Sequence, residues 1–364
     1  MTTASRATES VYLGWARLTP REKYNLASSG IMGYPLSELP INLQALEING
    51  PDVYGYKPLV QRLAQKCGVT PDCVVTANGT TMANHLAMAA LLSPGDDALI
   101  ERPAYGPMLE VASYLGANIL RIDRRAENNF QIDPDELAQK ITPKTKLIAL
   151  TNLHNPSGAL INEQTLIRIG EIAATVGAHV LIDEVYLDMV YDQPVRSCVH
   201  LGSQFVSTNS LTKAYGLSGL RCGWILAEPS LAKRMWRLND LFGATPVHPG
   251  ELLSVIALDN LAKIDARARA ILATNRQALD AFFKNRTDLA GFRSPWGTVA
   301  FPRLTHGSVN EFIDFLRTGY ETSVVPGEFF EMPDHFRIGI GGDPAMTAEA
   351  LNRLAHALDA YESK

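Results

Sequence analysis

The sequence predicts an α/β protein: a large part with a mostly parallel sheet flanked by helices, and a smaller α+β part. From about residue 70 to residue 227, short apolar runs alternate with longer helical patterns, which is typical of crossover units around a parallel sheet. These runs lack strict polar alternation, as expected for strands covered on both faces. After about residue 229 the pattern changes to long helices and isolated short strands.

The elements of the large part are expected in a regular order. Strands are predicted at Cys73–Ala77, Asp97–Glu101, Asn118–Ile122, Lys146–Thr151, His179–Asp183, Phe205–Thr208 and Gly223–Ala227, with helices at Thr80–Leu92, Pro107–Leu115 and Gln164–Val176 between them. Beyond residue 229, helices are predicted at Leu231–Leu241, Glu251–Lys284 and Thr347–Tyr361, and strands at Thr298–Pro302, Thr322–Val325 and His335–Ile340. We therefore expect a large domain over residues 46–245, and an N-terminal arm and small domain from residues 1–45 and 246–364.

Composition narrows the class of protein. The 364 residues are 46% hydrophobic and 20% charged, with a net charge of −5, which gives no reason to expect a nucleic-acid partner. The four cysteines are scattered, without CxxC pairs or a histidine cluster, so no metal site is expected. The N-terminus lacks an apolar signal core, and the apolar runs are too short to cross a membrane. We expect a cytoplasmic protein without a membrane partner.

Ligands of open parallel sheets bind at the carboxyl ends of the strands, so the residues there are candidates for chemistry. Asn78, Gly79, Thr80 and Thr81 follow the first strand and open a helix. Free N–H groups at a helix N-terminus favour an anion such as phosphate. A simple helix cap is the alternative, because Asn and Thr are common capping residues.

Two further strand ends carry polar residues. Asn155 lies in a turn after the strand Lys146–Thr151, where an amide can reach a ligand lying across the sheet. Asp183 ends an apolar strand, where a buried carboxylate is costly unless it meets a cation. Tyr186 follows three residues later. A strand-end cap is the alternative for Asp183.

The segment from Ser210 to Gly223 is the most informative. Lys213 stands between hydroxyl residues and a glycine-rich stretch, and Arg221 follows eight residues later. A lysine in a dry, cationic site can lose its proton and form a Schiff base. Arginine suits a phosphate because its planar fork binds in a bidentate way.

Together these motifs resemble the fold-type I pyridoxal-phosphate enzymes, specifically the class I/II aminotransferase group. The resemblance rests on Ser210-x-Thr212-Lys213 followed by Gly219-x-Arg221-x-Gly223, with Asn155-Pro156-Ser157-Gly158 and Asp183-x-x-Tyr186 upstream. It covers nearly the whole chain in the family's order. It implies the cofactor pyridoxal 5'-phosphate, a large cofactor-binding domain and a homodimer.

The resemblance also implies catalytic roles. Lys213 would hold the cofactor through a Schiff base and then shuttle the proton of the substrate. Asp183 would keep the pyridine nitrogen protonated, so that the ring withdraws electrons. Asn155 and Tyr186 would bond the phenolic oxygen of the ring.

The remaining roles that the resemblance implies concern cofactor and substrate binding. Gly79, Thr80, Ser210 and Arg221 would hold the phosphate, with Asn78, Thr81 and Thr212 nearby, and Tyr105 would stack on the pyridine ring. Arg337 would bind the substrate α-carboxylate as a bidentate pair, and Gly30 would close over that carboxylate. The family's tyrosine that reaches the phosphate of the partner subunit has no exact match, since Tyr54 directly precedes Gly55. Tyr54, Tyr56 or neither fills that role.

Three functions compete on this evidence. Transamination between an amino acid and a 2-oxo acid is the leading one. Another reaction on the same scaffold, such as C–S or β-elimination, decarboxylation or cyclisation, would use the same cofactor residues. A non-enzymatic, DNA-binding regulator is disfavoured, because only about 45 residues precede the sheet and they carry no basic helix-turn-helix pattern.

Overall fold

The computed structural model describes residues 6–20 and 22–362. The strands of the described residues are β1 (Tyr24–Asn25), β2 (Val74–Asn78), β3 (Asp97–Arg102), β4 (Asn118–Asp123), β5 (Thr145–Thr151), β6 (His179–Asp183), β7 (Phe205–Ser210), β8 (Cys222–Leu226), β9 (Leu289–Ala290), β10 (Val299–Ala300), β11 (Arg303–Leu304), β12 (Thr322–Ser323), β13 (Val325–Pro326) and β14 (Phe336–Gly339). The α-helices are α1 (Val11–Leu18), α2 (Lys57–Cys67), α3 (Gly79–Leu91), α4 (Gly106–Tyr114), α5 (Pro134–Lys140), α6 (Glu163–Val176), α7 (Pro229–Asn239), α8 (His248–Asp259), α9 (Leu261–Phe283), α10 (Val309–Tyr320) and α11 (Pro344–Glu362).

A seven-stranded sheet with the order β2-β8-β7-β6-β5-β3-β4 forms the centre of the fold. The strands from β7 to β4 pair in parallel, whereas β8 runs antiparallel to both β2 and β7. This architecture confirms the predicted fold class. The order also brings the carboxyl ends of β5, β6 and β7 side by side, which is where the sequence places Asn155, Asp183 and Lys213.

The sheet is buried on both faces. Successive residues of a strand point to opposite faces, and in β5 the side chains of Leu147 and Ala149 pack with α3, α4 and α7, while Ile148 and Leu150 pack with α5 and α6. This double coverage explains why the strands are apolar throughout instead of alternating.

The smaller part differs from the prediction in detail. The expected helix Glu251–Lys284 is two helices, α8 and α9, which are separated at Asn260 (φ −112°, ψ 17°). The Asn260 amide donates to the carbonyl of Ile256 at 2.8 Å, and such side-chain competition with the backbone disfavours a continuous helix. Helix α10 has no counterpart in the prediction, although Ser308 caps it and Phe312 and Leu316 are buried on one face.

The N-terminal segment joins this smaller part through a short pairing. Tyr24 and Asn25 of β1 pair in parallel with Thr322 and Ser323 of β12, a contact that a two-residue strand does not reveal in the sequence. The domain boundaries at residues 45 and 245 stay a prediction. None of the helices in the described ranges combines the length and apolar character that crossing a membrane requires.

A fully buried ion pair supports the sheet near the site. Arg124 Nη1 donates to Glu101 Oε2 at 2.8 Å, and both side chains are 0% exposed. Glu101 Oε1 accepts hydrogen bonds from the Thr151 backbone N–H at 2.8 Å and from the Thr151 hydroxyl at 2.6 Å. The Thr151 hydroxyl in turn accepts from the Asn155 N–H at 3.0 Å. The pair therefore positions the turn that carries Asn155.

Removing one member of this pair should destabilise the protein strongly. Arg124→Ala leaves the Glu101 carboxylate buried without its cation, so we expect the free energy of unfolding to fall by about 3–5 kcal/mol. The matched control is Arg168→Ala, because Arg168 pairs with Glu171 at the surface and should cost about 0–1 kcal/mol. Denaturant titration measures both; equal losses in the two variants would contradict the role of the buried pair.

Candidate active site

A cavity of about 350 Å³ lies at the carboxyl ends of the sheet strands. Its lining includes ten of the residues that the sequence singled out: Thr80, Thr81, Tyr105, Asn155, Asp183, Tyr186, Ser210, Thr212, Lys213 and Arg221. Helix α1 and residues of the smaller part close its other side, among them Tyr12, Ser29 and Arg317. The sequence-predicted residues are thus brought together in one place.

One end of the cavity is built to receive an anion. Gly79 begins α3 with a φ of +78°, and its N–H donates to the Arg221 carbonyl at 2.8 Å. A Cβ at Gly79 would lie 2.1 Å from Arg221 Nη2, so only glycine leaves room for the guanidinium. The Thr80 hydroxyl is buried and has no hydrogen-bond partner in the part of the chain that the structure describes. A helix N-terminus, a guanidinium and an unpartnered hydroxyl together suit a phosphate.

Asp183 lies at the end of β6 and is buried. Its Oδ2 accepts from Asn84 Nδ2 at 2.8 Å and its Oδ1 accepts from the Val185 N–H at 3.0 Å. Asn84 is held in turn by the Thr208 hydroxyl, which donates to Asn84 Oδ1. Burial raises the pKa of Asp183 to about 6 against these hydrogen bonds. The site therefore favours a cation beside this carboxylate.

Lys213 follows β7 and points into the cavity, where its Nζ donates to Ser29 Oγ at 2.8 Å. Burial lowers the pKa of Lys213, and the nearby Arg337 and Arg221 act in the same direction. Gly30 lies against this lysine, since a Cβ there would come within 3.2 Å of Lys213 Cδ. The amine is thus prepared to lose its proton.

Arg337 lies on β14 behind the cavity wall and is 0% exposed. Its Nη1 donates to Asn155 Oδ1 at 3.0 Å and its Nη2 donates to the Tyr12 hydroxyl at 2.8 Å. The cavity lining contains Asn155 and Tyr12 but does not contain Arg337. The predicted carboxylate anchor therefore reaches the cavity through two neighbours.

The remaining predicted residues differ in their placement. Tyr186 is buried, and burial raises its pKa. Tyr105 packs edge-on against Tyr12, with ring centroids 5.9 Å apart. Asn78 is exposed, and its carbonyl accepts from Arg221 Nη2 at 3.2 Å. His154 is buried, and its ring nitrogens contact the Ser157 hydroxyl and the Pro103 carbonyl.

Three site residues were missed by the sequence analysis: Tyr12, Ser29 and Asn84. Ser29 directly precedes Gly30, and Asn84 is a polar residue on the buried side of an apolar helix, so both carried a usable signal. A buried asparagine is expected to have a specific partner. Tyr12 carried none, because its neighbours in space are far away in the sequence.

Glu184, which follows Asp183 in the chain, provides a test of how burial changes the pKa of a carboxyl group. Glu184 accepts from the Cys198 N–H at 2.7 Å, and burial raises its pKa from 4.5 to about 7. A raised pKa contributes stability that is fully present below about pH 4.5 and is lost as the pH rises through about 7. Across that window the free energy of unfolding of the wild type should therefore fall by an amount on the order of 3 kcal/mol. In Glu184→Gln this fall should be absent.

Denaturant titration of the cofactor-free protein from about pH 4.5 to pH 8 measures this difference. The control is Glu171→Gln, since Glu171 lies at the surface. Parallel pH profiles for the wild type and Glu184→Gln would show that Glu184 titrates normally.

Comparison with known proteins places this chain in a family. The model of the family "Aminotransferase class I and II" matches residues 45–354. Capreomycidine synthase from Streptomyces vinaceus is 30% identical over 340 residues, which covers 88% of this chain and 87% of that protein. Arginine–pyruvate transaminase from Pseudomonas aeruginosa is 28% identical and covers 94% of this chain and 92% of that protein.

Solved structures give the same result. A pyridoxal-phosphate-dependent aminotransferase from Streptococcus suis superposes with a TM-score of 0.89 at 27% identity and covers 93% of this chain and 94% of that chain. The pyridoxal-phosphate-dependent cyclase OrfR superposes with a TM-score of 0.88 at 25% identity and covers 98% and 99% of the two chains. With the fold, the cavity and the matched range in agreement, this chain belongs to the class I and II aminotransferases, a family of pyridoxal-phosphate-dependent enzymes.

Proposed function

We propose that this enzyme moves an amino group between an amino acid and a 2-oxo acid, with Lys213 as the residue that moves the proton. The observation that carries the proposal is the position of Lys213 Nζ. It lies in the same cavity as the buried carboxylate of Asp183 and the side chain of Asn155, which Arg337 contacts from behind the cavity wall. An amine of lowered pKa, an acid and a carboxylate anchor are the groups that this reaction requires.

The residues present fit pyridoxal 5'-phosphate. Gly79, Thr80, Ser210 and Arg221 would hold the phosphate, since the unpartnered Thr80 hydroxyl and the Arg221 guanidinium packed against Gly79 suit an anion. Asp183 would pair with the ring nitrogen, and Tyr105 would lie against the ring. When bound, the cofactor supplies an electron sink for the charge that develops at the substrate Cα.

The chain's own groups would then manage protons and orientation. Lys213 Nζ would take the proton from the substrate Cα and return it elsewhere, a role that its lowered pKa favours. Tyr186 and Asn155 would donate to the phenolic oxygen of the ring. Asn155 also accepts from Arg337, so it links the ring to the carboxylate anchor. Asn84 and Thr208 keep Asp183 oriented.

Cyclisation of an amino acid is the second candidate. Two of the similar proteins are named as a synthase of capreomycidine and as a cyclase, and the cofactor residues proposed above would serve either reaction. A third relative is named as a transaminase of arginine and pyruvate. We therefore include arginine and pyruvate among the first substrates to test.

We also propose that the enzyme is a homodimer. Exposed apolar side chains occur in the segment before Tyr54 and in the segment after its hydrogen-bond partner Asp240, namely Leu43, Ile48, Val53, Leu241, Phe242 and Val247. Exposed apolar side chains in such number are typical of a protein interface. Tyr54 accepts from Arg237 Nη1 at 2.7 Å and its ring lies against Trp236, whereas the Tyr56 ring lies against His248. That Tyr54, Tyr56 or neither reaches the partner's phosphate, and that the protein is cytoplasmic, stay predictions.

Addition of an amino acid alone to the purified holoenzyme tests the reaction. In a transaminase the amino group stays on the cofactor, so we expect the pyridoxamine form to accumulate and one 2-oxo acid to be released for each site. Absorbance and analysis of the released acid measure both. Borohydride should fix the cofactor to Lys213 before the amino acid is added, and Lys213→Ala should abolish the conversion.

A cyclised product or released ammonia, without a pyridoxamine form, would assign the enzyme to the second candidate or to the lyases. Reductive attachment at another lysine would remove Lys213 from its proposed role.

The phosphate contact can be tested without turnover. In Gly79→Ala the new Cβ would collide with the Arg221 guanidinium, so we expect cofactor affinity to fall by about 10- to 100-fold through loss of a charge-assisted pair. Gly95→Ala is the control, since Gly95 has a similar φ of +90° but nothing within 4 Å of its Cβ position. It should lose some stability and keep its cofactor affinity. Equal affinities in the two variants, measured by fluorescence titration, would contradict the proposed phosphate site.

A further inference from the structure

The guanidinium of Arg337 does not touch the cavity. Its side chain is 0% exposed, and it is covered on the cavity side by Tyr12 and Asn155, both of which line the cavity. A further hydrogen bond joins Arg337 Nη2 to the Ala27 carbonyl at 3.3 Å. Whatever binds in the cavity first meets the side chains in front of Arg337.

Tyr12 offers a hydrogen-bond donor at this position. Its hydroxyl oxygen accepts from Arg337 Nη2 at 2.8 Å, and no acceptor for its own proton lies within hydrogen-bonding distance among the described residues. Accepting a bond from a guanidinium polarises the phenol and strengthens it as a donor. The free O–H is therefore suited to an anionic oxygen in the cavity.

The Tyr12 ring is held in place by its neighbours. Its centroid lies 5.6 Å from the Phe330 ring and 5.9 Å from the Tyr105 ring, and the side chain is only 8% exposed. Aromatic packing of this kind fixes a ring at little cost in entropy. Because Tyr105 is the proposed cofactor-stacking residue, the Tyr12 hydroxyl stands beside the position of the reacting substrate.

Arg337 also keeps unused donor capacity. Its Nε is buried and has no hydrogen-bond partner within residues 6–20 and 22–362, which is costly unless a ligand or a rearrangement satisfies it. A carboxylate that entered beside Tyr12 would bring two oxygens into this positive environment.

We propose that Tyr12 is a substrate-binding residue whose hydroxyl donates to the substrate carboxylate, while Arg337 supports it from behind. This inference rests on the proposed amino-acid substrate. In the opposing arrangement the Tyr12 oxygen only occupies the place of a carboxylate oxygen and is displaced when substrate binds. The two arrangements predict opposite effects of removing the hydroxyl.

Tyr12→Phe keeps the ring and removes only the hydroxyl. The probe is 2-methylalanine, which has a carboxylate but no hydrogen at Cα, so its binding to the holoenzyme can be followed by absorbance without proton transfer. We expect its affinity to fall by about 10- to 100-fold in the variant, as for a lost hydrogen bond to a charged group. Isopropylamine, the same molecule without the carboxylate, should bind equally to both proteins. The control is Tyr114→Phe, because Tyr114 lies on the exposed side of α4. This variant should bind both ligands with the affinity of the wild type.

Unchanged or tighter binding of 2-methylalanine by Tyr12→Phe would overturn the proposal in favour of displacement. An equal loss for both ligands would also overturn it, because that pattern indicates a purely structural role. Should Tyr12→Phe fail to fold, a structure of the wild-type complex decides: a ligand carboxylate beyond about 3.5 Å from Tyr12 Oη refutes the contact. A wild-type holoenzyme that binds neither ligand would refute the amino-acid substrate itself, which separates that failure from an error about Tyr12.

Discussion

The burial of Asp183 at the end of a central strand is the constraint on which the site depends. Its carboxylate has lost water and, among the described residues, accepts hydrogen bonds only from the Asn84 amide and one backbone N–H, so its charge is stable only next to a cation. Lys213, Arg221 and Arg337 lie around the same cavity or behind its wall, but Lys213 and Arg337 bond to neutral partners instead. A ligand balances these charges if it carries a cation near Asp183 and anionic groups near Arg221 and Arg337. The folded protein thus holds charged groups whose opposite charges the cofactor and the substrate would supply together.

The parts of the site that the sequence predicted have a common cause. Asp183, Asn155 and Lys213 each follow an apolar strand, and a parallel sheet brings such positions to one edge whatever the loops do. The glycine at position 79 was predicted by the same reasoning, and the structure adds the reason for it, namely the Arg221 guanidinium in the space of a Cβ. Local patterns predict these residues because their placement follows from the sheet.

The parts that could not be predicted depend on contacts between distant segments. Tyr12 lies on an amphipathic helix like any other, and nothing near it in the sequence points to Arg337. The break at Asn260 depends on a side-chain bond to Ile256, a choice that tertiary packing decides and helical periodicity does not record. The reaction type is equally hidden, since a synthase, a cyclase and a transaminase all resemble this chain. We expect the residues on the outer side of the cavity to determine the reaction type, and these include Arg17 and Arg317. The Nε of Arg317 donates to Glu22 at 3.1 Å.

The bond between Tyr12 and Arg337 also has a consequence for how the chain is made. It joins residues 325 positions apart, whereas the groups proposed to hold the phosphate lie between Gly79 and Arg221. During synthesis the central sheet can close while the ribosome still holds the last third of the chain, but the wall behind the carboxylate cannot form until β14 emerges. Closing so long a loop is slow compared with local pairing. A nascent chain would therefore acquire its phosphate pocket well before it could recognise a carboxylate.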